Sequence, residues 1–185
     1  DGGAGTNTLE INQQVIANYA GATNFSALRL GANAGTQNVA LFTGTAFNLV
    51  ELIDGNTDYT VSGLADGTLV EVSRDLGGRT LPTVLTHATD TANNTLSLGF
   101  FNDAFTPTSP DCGVVTIDDT NTLNIVAGQQ IAGQVTEYQL NAAQLTLVNI
   151  EGVQGTSVYN TNFGADARAI TINAASATGT LSFDA

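Results

Sequence analysis

Short alternations of apolar and polar residues run along almost the whole chain. Leu28 and Leu30 flank Arg29, Val39 and Leu41 flank Ala40, Val50 and Leu52 flank Glu51, and Val70 and Val72 flank Glu71. The pattern resumes with Leu96 and Leu98 around Ser97, Val115 and Ile117 around Thr116, and Leu123 and Ile125 around Asn124. Leu145 and Leu147 around Thr146, Ile170 and Ile172 around Thr171, and Leu181 and Phe183 around Ser182 complete it. Successive side chains of an extended strand face opposite ways, so each triplet predicts a very short strand with one buried face. Near-helical spacing occurs only in residues 9–20, LEINQQVIANYA.

Leu28, Val39, Val50 and Val61 stand eleven residues apart, as do Ile170 and Leu181. Between the apolar triplets lie turn-forming runs such as GANAG (31–35), DGNTD (54–58), ADG (65–67), DTANN (90–94) and DDTN (118–121). Two strands and two turns per coil give a rung of about 20 to 25 residues, the size of a solenoid repeat. Sandwich strands are longer, about five or six residues, and are joined by hairpins. Three-residue cores suit stacked coils, in which the layers above and below bury each small apolar layer. The prediction is an all-β chain folded as a parallel β-solenoid of short strands, with a β-sandwich as the alternative.

Spacing lengthens around residues 76–115. Within that stretch GFFNDAFTPTSPDCG (99–113) holds Phe100, Phe101 and Phe105 with Pro107 and Pro110, which lack the ladder N–H. These residues are expected to form a loop inserted between coils, its aromatic rings folded back on the core.

Composition narrows the functional classes. A chain of 185 residues is sized for one domain. Arg29, Arg74, Arg79 and Arg168 are its only basic residues apart from one His, and the net charge is −13. Such a surface repels phosphate backbones and anionic lipid, so neither nucleic acid nor membrane insertion is expected. Charged residues make up only 11% of the chain, and solubility falls to Thr, Asn, Ser, Gln and Gly. Acidic, Lys-free, Thr/Asn-rich composition predicts secretion to the extracellular space or cell surface. Cys112 is single, so no intramolecular disulfide can staple the fold. No apolar stretch approaches the roughly 20 residues a membrane helix needs.

Candidate chemistry is sparse. His87, in VLTHATD, has Asp90 near it in sequence but no nucleophile motif, and is expected to be a surface or hydrogen-bonded residue. One His and one Cys make a zinc site implausible. Asp118 and Asp119 are adjacent, and adjacent strand residues face opposite ways, so a glycosidic carboxylate pair is disfavoured. In TIDDTNTL they predict a turn with calcium ligation as its secondary use. Asp54, Asp58 and Asp66 read likewise as Asx turns first. Arg29 and Arg168 are expected to neutralise carboxylates, and Arg74 and Arg79 to sit on a loop. No enzymatic activity is expected. A glycan- or ice-binding face would require a sustained row of outward Thr or Asn, and none is evident in the spacing.

The N-terminal run Gly2-Gly3-Ala4-Gly5-Thr6-Asn7-Thr8-Leu9-Glu10 resembles the calcium-binding nonapeptide GGxGxDxUx of the RTX proteins, with Asn7 where that pattern has Asp. In the pattern, glycines allow a tight turn whose carbonyls face the metal, the acid supplies a carboxylate, and the large apolar residue enters a parallel β-roll. TNFSALRLG (23–31), FNLVELIDGNTDYTVSGLADGTLVEV (47–72), LTLVNIEG (145–152) and AITINAASATGTLSFDA (169–185) are similar to the repeat regions that follow RTX arrays in large bacterial S-layer proteins and adhesins. The resemblance divides the chain into an RTX-like remnant at 1–10 and a solenoid-like module at 11–185. It implies calcium as the ordering ion, with Asp1, Gly3, Gly5 and Asn7 as contacts, while Asp118 and Asp119, read from their own turn, are the internal candidates. It also implies a structural module of a self-assembling, S-layer-like surface protein. Its partners would be copies of itself, neighbouring modules of the same chain, or a cell-surface glycan. The alternatives are an adhesin or glycan-binding module and, less favoured, a polysaccharide-acting β-helix enzyme.

Overall fold

A computed structural model describes residues 1–54, 57–73, 82–101, 111–126, 135–152, 155–163 and 169–183. The chain winds as a parallel β-solenoid whose coils alternate between two sheets. The first sheet is built from β1 (Thr8–Ile11), β2 (Ala27–Leu30), β4 (Leu49–Leu52), β6 (Leu69–Ser73), β8 (Thr95–Phe101), β10 (Thr122–Val126), β12 (Leu147–Gly152) and β14 (Thr171–Ala177), in that spatial order. The second runs β3 (Thr36–Asn38), β5 (Tyr59–Leu64), β7 (Thr83–His87), β9 (Asp111–Thr116), β11 (Val135–Asn141), β13 (Gly155–Asn162) and β15 (Leu181–Phe183). Every pairing is parallel, so the β-sandwich alternative is set aside.

Register explains the eleven-residue period. Leu28 pairs with Val50 and Val50 with Val70 in the first sheet, while Val61 lies half a coil further on, in the second. Leu28, Leu30, Val50, Leu52, Val70, Val72, Leu96, Leu98, Leu123 and Ile125 are fully buried and meet Val61, Leu85, Val115 and Leu140 from the other sheet. Burying a side chain of this size contributes about 1.5–3 kcal/mol, and each coil depends on its neighbours for that burial. The longer rungs also fall where expected: Val70 pairs with Leu98 and Thr83 with Val115.

Four readings of the sequence pattern are corrected. Residues 9–20 form no helix: β1 occupies 8–11, Leu9, Ile11 and Val15 pack on the core, and Ile16 is 82% exposed. The fully buried Gln37 explains what replaces it. Its carboxamide accepts from Val15 N (2.9 Å) and donates to Val15 O (3.4 Å), so tertiary bonding fixes the segment in place of helical bonds. Val39 and Leu41 are not a strand but a 3-10 turn, because the Asn38 side chain accepts from Ala40 N; the strand is 36–38, with Gln37 facing in. Around residues 145–150 the inward pair is Val148 and Ile150, while Leu145 is buried in the preceding turn. Both ends of the expected 99–113 insertion are strand instead. Residues 99–101 belong to β8 and 111–113 to β9, and 102–110 lie outside the described residues, with Phe105, Pro107 and Pro110.

Candidate functional site

At the N-terminus, Asp1, Gly3, Gly5 and Asn7 do come together. Gly3 and Gly5 adopt φ of 70° and 107°, backbone open to glycine at little cost, and this curls residues 1–7 around the Asn7 side chain. The carbonyls of Gly5 (3.2 Å), Asn24 (3.3 Å) and Gly3 (3.5 Å) converge on Asn7 Nδ2. Asp1 Oδ1 accepts from Gly3 N and Asn24 Nδ2, both at 2.9 Å. The loop therefore gathers hard oxygens, the ligand type calcium takes, but as placed the centre is filled by an amide donor. As placed, the arrangement is a hydrogen-bonded turn.

Asp118 and Asp119 sit in the turn closed by Thr120 N donating to Ile117 O (3.0 Å), as their sequence context predicts. Their carboxylates part company. Asp118 Oδ1 accepts from Ala143 N (3.2 Å) in the next coil, whereas Asp119 reaches the previous one, taking His87 N at 2.6 Å and His87 Nδ1 at 3.1 Å. Among the described residues no three His, Cys, Asp or Glu side chains gather as a metal set. His87 is buried, and its Nε2 lies 3.1 Å from the Thr95 carbonyl. With both ring nitrogens engaged, the pair ties successive coils together. Asp66 also acts across coils, accepting from Thr95 N at 2.5 Å.

Arg29 neutralises carboxylates, as expected. Its Nε meets Glu51 Oε2 at 3.0 Å and its second amino nitrogen Glu51 Oε1 at 3.2 Å, with Glu10 3.8 Å away. Glu10, Arg29, Glu51 and Glu71 are in register on the outer face of the first sheet. The Glu51 hydrogen bond raises the Arg29 pKa, and burial, reinforced by the Glu51 charge, raises that of Glu71. Arg74, Arg79 and Arg168 lie outside the described residues.

The feature missed in the sequence lies further along the same face. Asn173 Nδ2 donates to Asn149 Oδ1 (3.2 Å), Asn149 Nδ2 to Asn124 Oδ1 (2.8 Å), and Asn124 Nδ2 to Ser97 Oγ (3.3 Å). The four are in register across β8, β10, β12 and β14. Each follows an inward apolar residue, in LSL, LNI, VNI and INA, and that shared motif was the available signal. In comparisons with protein-family models, with curated proteins and with solved structures, nothing matches the chain. Its geometry alone must carry any functional reading. No helix among the described residues is long and apolar enough to cross a membrane.

Proposed function

We propose that this chain is a structural module of a secreted, self-assembling, S-layer-like bacterial surface protein, without catalytic activity. One observation carries the reading. At β14 and β15 both sheets end, among the described residues, in edge strands, and Ile172 and Leu181 are left 43% and 40% exposed. Ile172 pairs with the buried Val148, so it belongs to the interior column and, among the described residues, has no covering layer. A further coil in parallel register would supply that layer, either from a neighbouring module of the same chain or from a second copy, and head-to-tail contacts between copies propagate rather than close. The acidic, Lys-free composition supports the extracellular setting.

Calcium enters the reading at residues 1–7, where the Asn7 carboxamide would turn over to present Oδ1 beside the glycine carbonyls. Light scattering across a wide concentration range, with calcium and with chelator, tests both parts. Concentration-dependent growth that Ile172→Asp with Leu181→Asp abolishes is the expected result; a chain monomeric under all conditions refutes assembly. Thermal melts address the ion separately. Calcium should raise the melting temperature, more so in Asn7→Asp, and identical melts with ion and chelator would exclude calcium ordering.

A further inference from the structure

From the amide ladder we infer that the outer face of the first sheet, from β8 to β14, is a binding groove for an extended, neutral, hydroxyl-rich polysaccharide lying across the strands. Ser97, Asn124, Asn149 and Asn173 form its floor, with Glu151 and Ser176 beside them, and it encloses about 410 Å³. Between β12 and β14 the register shifts: Asn149 faces Asn173, but Glu151 faces Ser176, so β14 carries an extra residue. Such an irregularity bends the strand locally and increases its twist. Together the lining residues form a shallow trough.

The chemistry of the floor selects the ligand. A carboxamide has two N–H donors and two oxygen lone pairs. Along the ladder Asn124 and Asn149 each give one hydrogen to the preceding rung and accept one from the following rung. Asn124 and Asn149 therefore each keep one donor and one acceptor side by side, the combination that a sugar hydroxyl satisfies in both directions. All bonds in the ladder point the same way, so polarisation along it strengthens these free groups. Rungs recur at about 4.8 Å, comparable to the length of one pyranose unit. Among the described residues lining the trough, the charged one is Glu151, which discriminates against uronate or sulfated chains.

Titration calorimetry of the intact chain with cello-oligosaccharides of increasing length, and with tetragalacturonate as the anionic counterpart, tests the inference. Four rungs span about 14 Å, so affinity should rise steeply from the disaccharide to the tetrasaccharide and then level off. Asn149→Ala should weaken tetrasaccharide binding about tenfold, the loss of one or two hydrogen bonds. Asn173→Ala, on an exposed edge position, should weaken it less and guards against a folding defect in the first variant. Absence of binding by any cello-oligosaccharide overturns the proposal, as does binding that neither variant alters. Tetragalacturonate bound as tightly as the neutral chain overturns the ligand class.

Discussion

Across β1, β2, β4 and β6 the outer face of the first sheet carries Glu10, Arg29, Glu51 and Glu71 in register; across β8, β10, β12 and β14 it carries Ser97, Asn124, Asn149 and Asn173. The backbone is the same and the chemistry is not. In the charged column one guanidinium engages Glu51 through two bonds, and Glu71, next in line, has a carboxyl destabilised by burial and by the Glu51 charge. A stack of like charges needs a counter-ion at every second rung, and this chain has few cations. Carboxamides are self-complementary: each donates to one neighbour and accepts from the other, so the column extends rung by rung without accumulating charge. A solenoid stacks identical positions directly on one another, which makes the second solution the more extensible one.

The largest effect is expected from Arg29→Met. It removes the partner of the nearly buried Glu51 and leaves three carboxylates in one column, and should lower stability by about 3 kcal/mol in urea titrations. High salt should recover part of that loss through screening. A loss below about 1 kcal/mol would mean the column is only a solvated surface pair. Asn149→Ala comes next. It deletes one bond to each neighbour and should cost about 1–2 kcal/mol, with little dependence on salt. If its cost varied with salt as strongly as that of Arg29→Met, the contrast between the columns would fail.

How much of this was visible in the sequence depended on the period. Alternation around Leu28, Val50, Val70, Leu96 and Leu123 located strands and inward faces, because burial in stacked coils imposes period two whatever the partner. Where a turn carried its own apolar residue the signal misled. Leu145 is buried in a turn, and reading Leu145 and Leu147 as the inward pair displaced the strand and hid Asn149. With that rung missing, Asn124 and Asn173 did not read as a series. The partner of His87 was illegible for another reason: Asp119 lies 32 residues away, and only the winding of the coils brings it closer than Asp90. The N-terminal turn was recognised from its glycines, but the role of Asn7 as central donor depends on the Asn24 carbonyl of the next coil.

Glu71→Gln should give a smaller change of opposite sign. The fold raises the pKa of this carboxyl above its ordinary 4.5, so the native state holds the proton more tightly than the unfolded chain does. Stability contributed by the protonated form is complete below the ordinary value and is lost as pH rises through the raised one. Glutamine keeps the neutral shape at all pH values. The variant should therefore melt a few degrees higher at neutral pH, and the difference should vanish in acid below that ordinary value. An equal gain at acid and neutral pH would trace the effect to packing rather than charge.

Asn173→Ala is the smallest and the most discriminating change. Asn173 is exposed on an edge strand and makes one bond within the ladder, donating to Asn149, while its oxygen accepts from its own strand at Ala175 N. If the ladder is a sum of independent bonds, its removal should cost about 0.5 kcal/mol and leave the cost of Asn149→Ala lower by the same amount in the double variant. If polarisation along the chain of amides matters, the coupling should exceed that single bond and extend to Asn124, which Asn173 does not touch. A double-mutant cycle between Asn124→Ala and Asn173→Ala reads this directly, since the two share only Asn149. Zero coupling would show that the amide column acts rung by rung.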